Sequence, residues 1–383
     1  MKEYYLDYAA TTYVKPEVIE VMLPFFCDKF ANPSSMYKIA KDSRKAVEYA
    51  RWQIAKAIGA DADEIYFTSG GSEADNLLIK GYARANKDKG NHIITSKIEH
   101  MAVLETCKML EKEGFDITYL DVDENGIIDL KQMKQSINSK TILISIMFAN
   151  NEIGTIEPIE EIAEIAKQND ILFHTDAVQA VGNVNIDVKK MNIGALSLSA
   201  HKFYGPKGVG ALYIGKKYNF QPIISGGHQE KNKRAGTENV PGIVGMGKAI
   251  ELAMENLEKH SMKLQKIRDK YIYEIFEKIP NVRLNGDRVN RLPGNANISF
   301  ENVGGASLLF MLSEDKIYAS SASACTAGLS APSHVLKAIG LSDDAANSAL
   351  RVTFGEKNSE EDVEYIVDKI AYNVNKLRKM KQM

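Results

Sequence analysis

Short apolar bursts separated by helically spaced stretches fill the first two thirds of the chain. Runs rich in Val, Ile and Leu predict strands at Glu64–Thr68, His92–Ser96, Asp116–Leu120, Thr141–Ile146, Ile171–His174, Gly194–Leu198 and Ala211–Ile214. Between them, apolar residues three and four apart predict helices at Pro16–Phe30, Ile39–Ile58, Met101–Glu113, Leu130–Ile137 and Ile159–Gln168. Another helix follows Ser69-Gly70-Gly71-Ser72-Glu73 and runs to about Asn86. Pro16 suits a helix start, and Gly59 suits a left-handed helix end. Strand and helix in alternation predict an α/β layer on a largely parallel sheet, with the chemistry in the strand-end loops.

The pattern changes after Pro241. Long helical spacing runs to Ile279, followed by a strand at Asn295–Ser299, a helix at Gly304–Leu312, a strand at Ile317–Ala319 and a closing helix from Glu360 to about Lys379. A chain of 383 residues exceeds what one core holds. Two bodies are therefore expected: a large one over 15–258, and a smaller α+β one from 1–14 and 259–383.

Composition narrows the class. Hydrophobic content of 44% and charged content of 26% are those of a soluble globular protein. A net charge of −2 gives no overall footprint for nucleic acid or an anionic membrane. No apolar run reaches the roughly 20 residues of a membrane span. The first residues lack the apolar core of a signal peptide, and three cysteines make no disulfide framework. The cytoplasm is the expected location.

Candidate chemistry gathers at strand exits. In S-L-S-A-H-K-F-Y-G-P-K-G, Lys202 stands beside Ser199 and His201, followed by glycines. A lysine so placed suits Schiff-base chemistry while its neighbours hold an anion; a surface lysine beside a turn is the alternative. The Ser69–Ser72 turn opens a helix whose amides suit a phosphate, or is a plain turn. His100 opens the helix after His92–Ser96, and Asn151 follows Thr141–Ile146. Asp176, in H-T-D-A-V-Q, either caps a helix or keeps a pyridinium nitrogen protonated in a pyridoxal phosphate (PLP) site.

The three cysteines differ. Cys107 shares a helix face with Val103, Leu104 and Leu110, and Cys27 sits among Phe25, Phe26 and Phe30, so both read as core thiols. Cys325 lies in A-S-S-A-S-A-C-T-A-G, a run of small residues that suits an exposed nucleophile. Arg351, inside the apolar run L-R-V-T-F-G, needs an anion. A substrate carboxylate and a structural salt bridge both answer that need.

Together these segments resemble the cysteine desulfurases of the NifS/IscS type, PLP enzymes of the class V aminotransferase fold. The motifs run in that family's order: L-D-Y-A-A-T-T, T-S-G-G-S-E-A-D-N, N-N-E-I-G, H-T-D-A-V-Q, S-A-H-K-F-Y-G-P-K-G, R-A-G-T-E-N, S-A-C-T-A-G and R-V-T-F-G. The resemblance implies fold type I of the PLP-dependent transferases, a large domain with a mainly parallel seven-stranded sheet, a small α+β domain and a homodimer. It implies Lys202 as the Schiff-base lysine, Asp176 as partner of the ring nitrogen, and Gln179 and Asn151 near the ring's phenolic oxygen. His100 would stack on the ring and assist proton transfer. Gly71, Ser72, Ser199 and His201 would hold the phosphate, with Thr237 reaching the neighbouring subunit's cofactor. Arg351 and Asn32 would meet the substrate carboxylate. Cys325, on a mobile loop at about 319–332, would take the sulfur from L-cysteine as a persulfide and pass it to an iron–sulfur scaffold or a tRNA-thiolating enzyme. No metal ligand is implied.

Some positions depart from the family's pattern: Ser72 for Thr, Tyr37 for His, His228 for Gly and Ala322 for Gly. None removes a reacting group. Competing readings are a selenocysteine lyase, another class V PLP enzyme such as an aminotransferase, and a non-catalytic sulfur scaffold. The S-A-C-T loop argues against an aminotransferase, which needs no nucleophilic thiol.

Overall fold

In a computed structural model, residues 2–321 and 332–382 are described. Seven strands form the central sheet. They are β2 (Ile65–Thr68), β3 (His92–Ser96), β4 (Asp116–Leu120), β5 (Thr141–Ser145), β6 (Leu172–Asp176), β7 (Ala195–Ser199) and β8 (Gly210–Ile214). Their spatial order is β2-β8-β7-β6-β5-β3-β4. The pairs from β7 through β6, β5 and β3 to β4 are parallel, and β8 runs antiparallel to both its neighbours. The sheet is thus mainly parallel, as expected.

β3, β5, β6, β7 and β8 are buried along their whole length. That explains why they read as apolar runs without alternation: helices cover both faces. On one face α1 (Pro16–Met22), α3 (Ala40–Ile58) and the helix Val240–Glu255 pack together. On the other, α4 (Gly71–Ala85) and α5 (Met101–Lys112) contribute Leu77, Leu78, Val103 and Cys107 to a separate core. Gly59 ends α3 at φ 71°, as its glycine predicts.

A further core lies outside this sheet. β9 (Val282–Asn285), β10 (Asn295–Phe300) and β12 (Ala349–Thr353) form an antiparallel sheet in the order β12-β10-β9. β1 (Tyr4–Tyr5) pairs in parallel with β11 (Ile317–Tyr318). Leu6 joins Ile298, Leu350 and residues of the helices Leu257–Lys278 and Glu361–Gln382 in one apolar cluster. Among the described residues no helix is long and apolar enough to cross a membrane.

Two expectations need correction. The helix expected over Pro16–Phe30 divides at Leu23 into α1 and α2 (Pro24–Cys27). Pro24 has no amide proton, so it starts a turn and does not continue one. Cys27 is exposed, not a core thiol. Its apolar neighbours do not enclose it, because Phe26 and Phe30 are themselves 58% and 69% exposed. Cys107 is buried as expected, and burial pushes its thiol up to about 12, far from a reactive thiolate.

Candidate active site

The exits of β5, β6 and β7 and the N-termini of α4 and α5 enclose a cavity of about 250 Å³. Of the residues singled out in the sequence, Lys202, His100, Asp176, Gln179, Asn151 and Arg351 line it. Gly71, Ser72, Ser199 and His201 line it as well. Asn32 and Thr237 are exposed and do not line it. Cys325 and Ala322 lie outside the described residues.

Lys202 follows β7 in a single 3₁₀ turn, Ala200–Lys202. Its Nζ donates to the carbonyl oxygens of Ala9, at 2.6 Å, and Ala10, at 2.8 Å. Gln179 Nε2 donates to the same Ala9 oxygen at 3.0 Å. Thr12 donates through both its N–H and its hydroxyl to the His201 carbonyl. The N-terminal segment is thereby stitched across the lysine turn. The Ala9 and Ala10 contacts are made by backbone carbonyls, which any sequence carries, so no side chain announces them.

The anion cradle has its own packing logic. A Cβ at Gly71 would fall 2.6 Å from Val178 Cγ2 and 3.7 Å from Ser199 Cβ, so only glycine lets α4 begin this close to the loop after β6. The first-turn amides of a helix have no partner within it and carry its positive dipole end. Ser72 and Ser199 add hydroxyls beside that end. Burial, with Lys202 and Lys207 nearby, pushes His201 down to about 4, so its ring is neutral near pH 7 and takes part by hydrogen bonding. Its Nδ1 meets the Thr11 hydroxyl at 3.1 Å.

Asp176 closes β6 and is buried, with Oδ1 accepting the Val178 N–H at 2.9 Å. Burial raises its pKa, while His100, the Val178 amide and Lys202 oppose that rise. His100 is the N-cap of α5, and its Nδ1 accepts the Ala102 N–H at 3.1 Å. A ring that accepts at Nδ1 carries its proton at Nε2.

Arg351 is in β12, at the boundary of the two cores. Its Nη2 meets Asp7 Oδ1 at 2.7 Å and its Nη1 donates to the Asn151 carbonyl at 3.1 Å. Both alternatives left by the sequence bear on this position: a structural ion pair is present, yet the buried Nε has no acceptor among the described residues. The chain on either side of 322–331 is held at the same rim. Ser320 exchanges two backbone hydrogen bonds with Arg351. Ser333 caps the short helix His334–Ala338 and donates to the buried Glu152, and His334 Nε2 donates to the Glu99 carbonyl at 3.0 Å.

Asp75 falls within T-S-G-G-S-E-A-D-N, and the resemblance implies no role for it. It lines the cavity from within α4 and is 1% exposed. No sequence signal separated it from a solvated helix carboxylate; only the fold points it at the sheet.

The donor set suits PLP. An amine sits at a strand exit, a carboxylate at the neighbouring strand's end, and a helix N-terminus with hydroxyls and a neutral imidazole could take a phosphate. Among the described residues no cluster of His, Cys, Asp and Glu could hold a metal ion.

Comparison with known proteins agrees. The aminotransferase class-V family model matches residues 4–366. A cysteine desulfurase IscS from Clostridium botulinum is 55% identical over 381 residues, covering 99% of this chain and 96% of its own. The cysteine desulfurase IscS of Methanosarcina thermophila is 54% identical, covering 99% and 94%. Among solved structures, a NifS-like protein superposes with a TM-score of 0.92 at 37% identity over 98% of this chain and all of that one. A structure described as SspA in complex with cysteine gives 0.82 at 41% identity, over 92% and 99%. With its fold and nearly its whole length in agreement, the chain belongs to the class-V aminotransferase family.

Proposed function

We propose that this chain is a PLP-dependent cysteine desulfurase that converts L-cysteine to L-alanine and carries the sulfur as a persulfide on Cys325. One observation carries the reading: Lys202, Asp176, His100 and Arg351 line a single cavity together with Gly71, Ser72, Ser199 and His201. When bound, PLP supplies an aldehyde that captures an amine and a ring that accepts electron density from Cα.

The chain's own residues would divide the work. The α4 N-terminus at Gly71, with Ser72, Ser199 and His201, would hold the phosphate; Asp176 would partner the ring nitrogen, and Gln179 and Asn151 would serve the ring's oxygen. Arg351, with an open Nε, takes the substrate carboxylate. Lys202, held by the Ala9 and Ala10 carbonyls, would be the residue that anchors the cofactor and would serve as the base for the substrate's Cα proton. The Cys325 thiolate then attacks the substrate sulfur. An S–S bond forms as the Cβ–S bond breaks, and the pair left on carbon takes a proton to give alanine.

L-cysteine as substrate is supported by the relatives' names and by the related structure described with cysteine bound. The same reading makes the protein a cytoplasmic homodimer, with Thr237 serving the partner's cofactor and Asn32 the substrate. Residues 15–258 form the cofactor-binding body, and 1–14 with 259–383 form the second. An iron–sulfur scaffold or a tRNA-thiolating enzyme would receive the persulfide. Purified protein loaded with PLP is expected to release alanine and sulfide in equal amounts from cysteine under reducing conditions. Pyruvate with ammonia as the carbon product would contradict the reading.

A further inference from the structure

Asp75 has no assigned role, yet it faces the cavity beside Asp176. β6 and β7 run in parallel with Asp176 opposite Ser197, and His174 lies two residues earlier on the same face of β6. His174 is fully buried, with Nδ1 2.9 Å from the Ser145 hydroxyl and Nε2 3.0 Å from the Ser197 hydroxyl. Asp75 Oδ1 is 3.8 Å from His174 Nε2, beyond hydrogen-bonding distance, and has no hydrogen-bond partner among the described residues.

Resting on the PLP reading above, we infer that Asp75 is a positioning residue. It carries a proton at neutral pH, fixes the Asp75–Asp176 pair at a single negative charge, and leaves that charge on Asp176, the residue proposed to partner the cofactor's ring nitrogen.

Two buried carboxylates sharing one site do not both ionise without a cation between them. The groups facing Asp75 supply none. Burial pushes His174 down to about 3, so its ring is neutral. Glu99, ahead of α5, is pushed up to about 8 by burial and is itself protonated near pH 7. Asp75 is raised by burial and then by Asp176, with only the Ser197 hydroxyl favouring its charged form. Asp176 instead has the Val178 amide, His100 and Lys202 on its side. The shared proton therefore rests on Asp75.

The test reads the proton directly. Infrared spectra of protein carrying ¹³C-carboxyl aspartate are expected to show, at neutral pH, an isotope-shifted C=O stretch of a protonated acid. Glutamates do not shift, so Glu99 is separated. The band is expected to persist in Asp176→Asn and to vanish in Asp75→Asn. PLP affinity measured by equilibrium dialysis is expected to stay within about twofold in Asp75→Asn and to weaken at least about tenfold in Asp176→Asn. Only carboxylate bands from aspartate at neutral pH, or an Asp75→Asn variant that loses PLP as severely as Asp176→Asn, would overturn the assignment. If Asp75→Asn does not fold, the labelled wild-type and Asp176→Asn proteins still decide it. The band is also readable without cofactor, so a chain that bound no PLP would defeat the proposed function and leave this measurement intact.

Discussion

Arg351 and Asp7 form an ion pair of 2.7 Å at the cavity wall, with Arg351 only 4% exposed and its Nε left without an acceptor. Asp7 holds the guanidinium in place and also competes with an incoming carboxylate. Arg351→Lys keeps the charge but loses the planar fork, so KM for cysteine is expected to rise roughly tenfold or more at unchanged PLP content. Asp7→Asn removes the competitor and is expected to lower KM several-fold. Steady-state kinetics on PLP-saturated protein checks both; a higher KM in Asp7→Asn would show that orientation outweighs competition.

Cys325→Ala separates cofactor chemistry from sulfur transfer. The variant is expected to keep wild-type PLP content and a spectral response to added cysteine, while sulfide release falls to background. Persistence of wild-type turnover would remove Cys325 from the mechanism.

At Gly71 the expectation is one of space. In Gly71→Ala the new methyl meets Val178 Cγ2 at 2.6 Å, a clash worth on the order of 1–3 kcal/mol when a packed site cannot yield. Weaker PLP binding is expected, by roughly tenfold, with recovery in the double variant Gly71→Ala/Val178→Ala. Absence of recovery would locate the damage elsewhere in the cradle.

Glu99 gives a pH signature. Its Oε1 accepts from the Ser96 hydroxyl and the Met147 N–H, its Oε2 has no partner among the described residues, and burial raises it to about 8 from 4.5. An acid with a raised pKa keeps its proton in the folded state and releases it on unfolding. Its contribution is fully present below about pH 4.5 and is lost as pH rises through about 8. Glu99→Gln removes that slope. The variant is expected to gain on wild type between about pH 5 and 8, by on the order of 2 kcal/mol in denaturant titrations. A constant difference across that range would mean Glu99 is ionised throughout.

Much of this site was legible because reacting side chains stand where strands end. Lys202, Asp176 and His100 each follow an apolar run, and a polar residue there has little packing reason to exist. The strands β5, β6 and β7 are legible too, since strands buried on both faces leave apolar runs in the sequence. What was hidden depends on three-dimensional neighbours. Asp75 looks like any helix carboxylate until α4 is laid on Ser197 and His174. The Ala9 and Ala10 carbonyls have no side-chain signal at all. Cys27 was misread because aromatic neighbours were taken to imply burial, while the short helix beside it leaves Phe26 and Phe30 exposed.

The central claim is that the Lys202 amine is the cofactor's anchor. Borohydride reduction of the PLP-loaded protein, followed by protease digestion and mass mapping, tests it most directly. The pyridoxyl mass is expected on the peptide containing Lys202 and on no other, and its absence is expected in Lys202→Ala. A modified lysine elsewhere in the wild-type protein, with Lys202 unlabelled, would contradict the account.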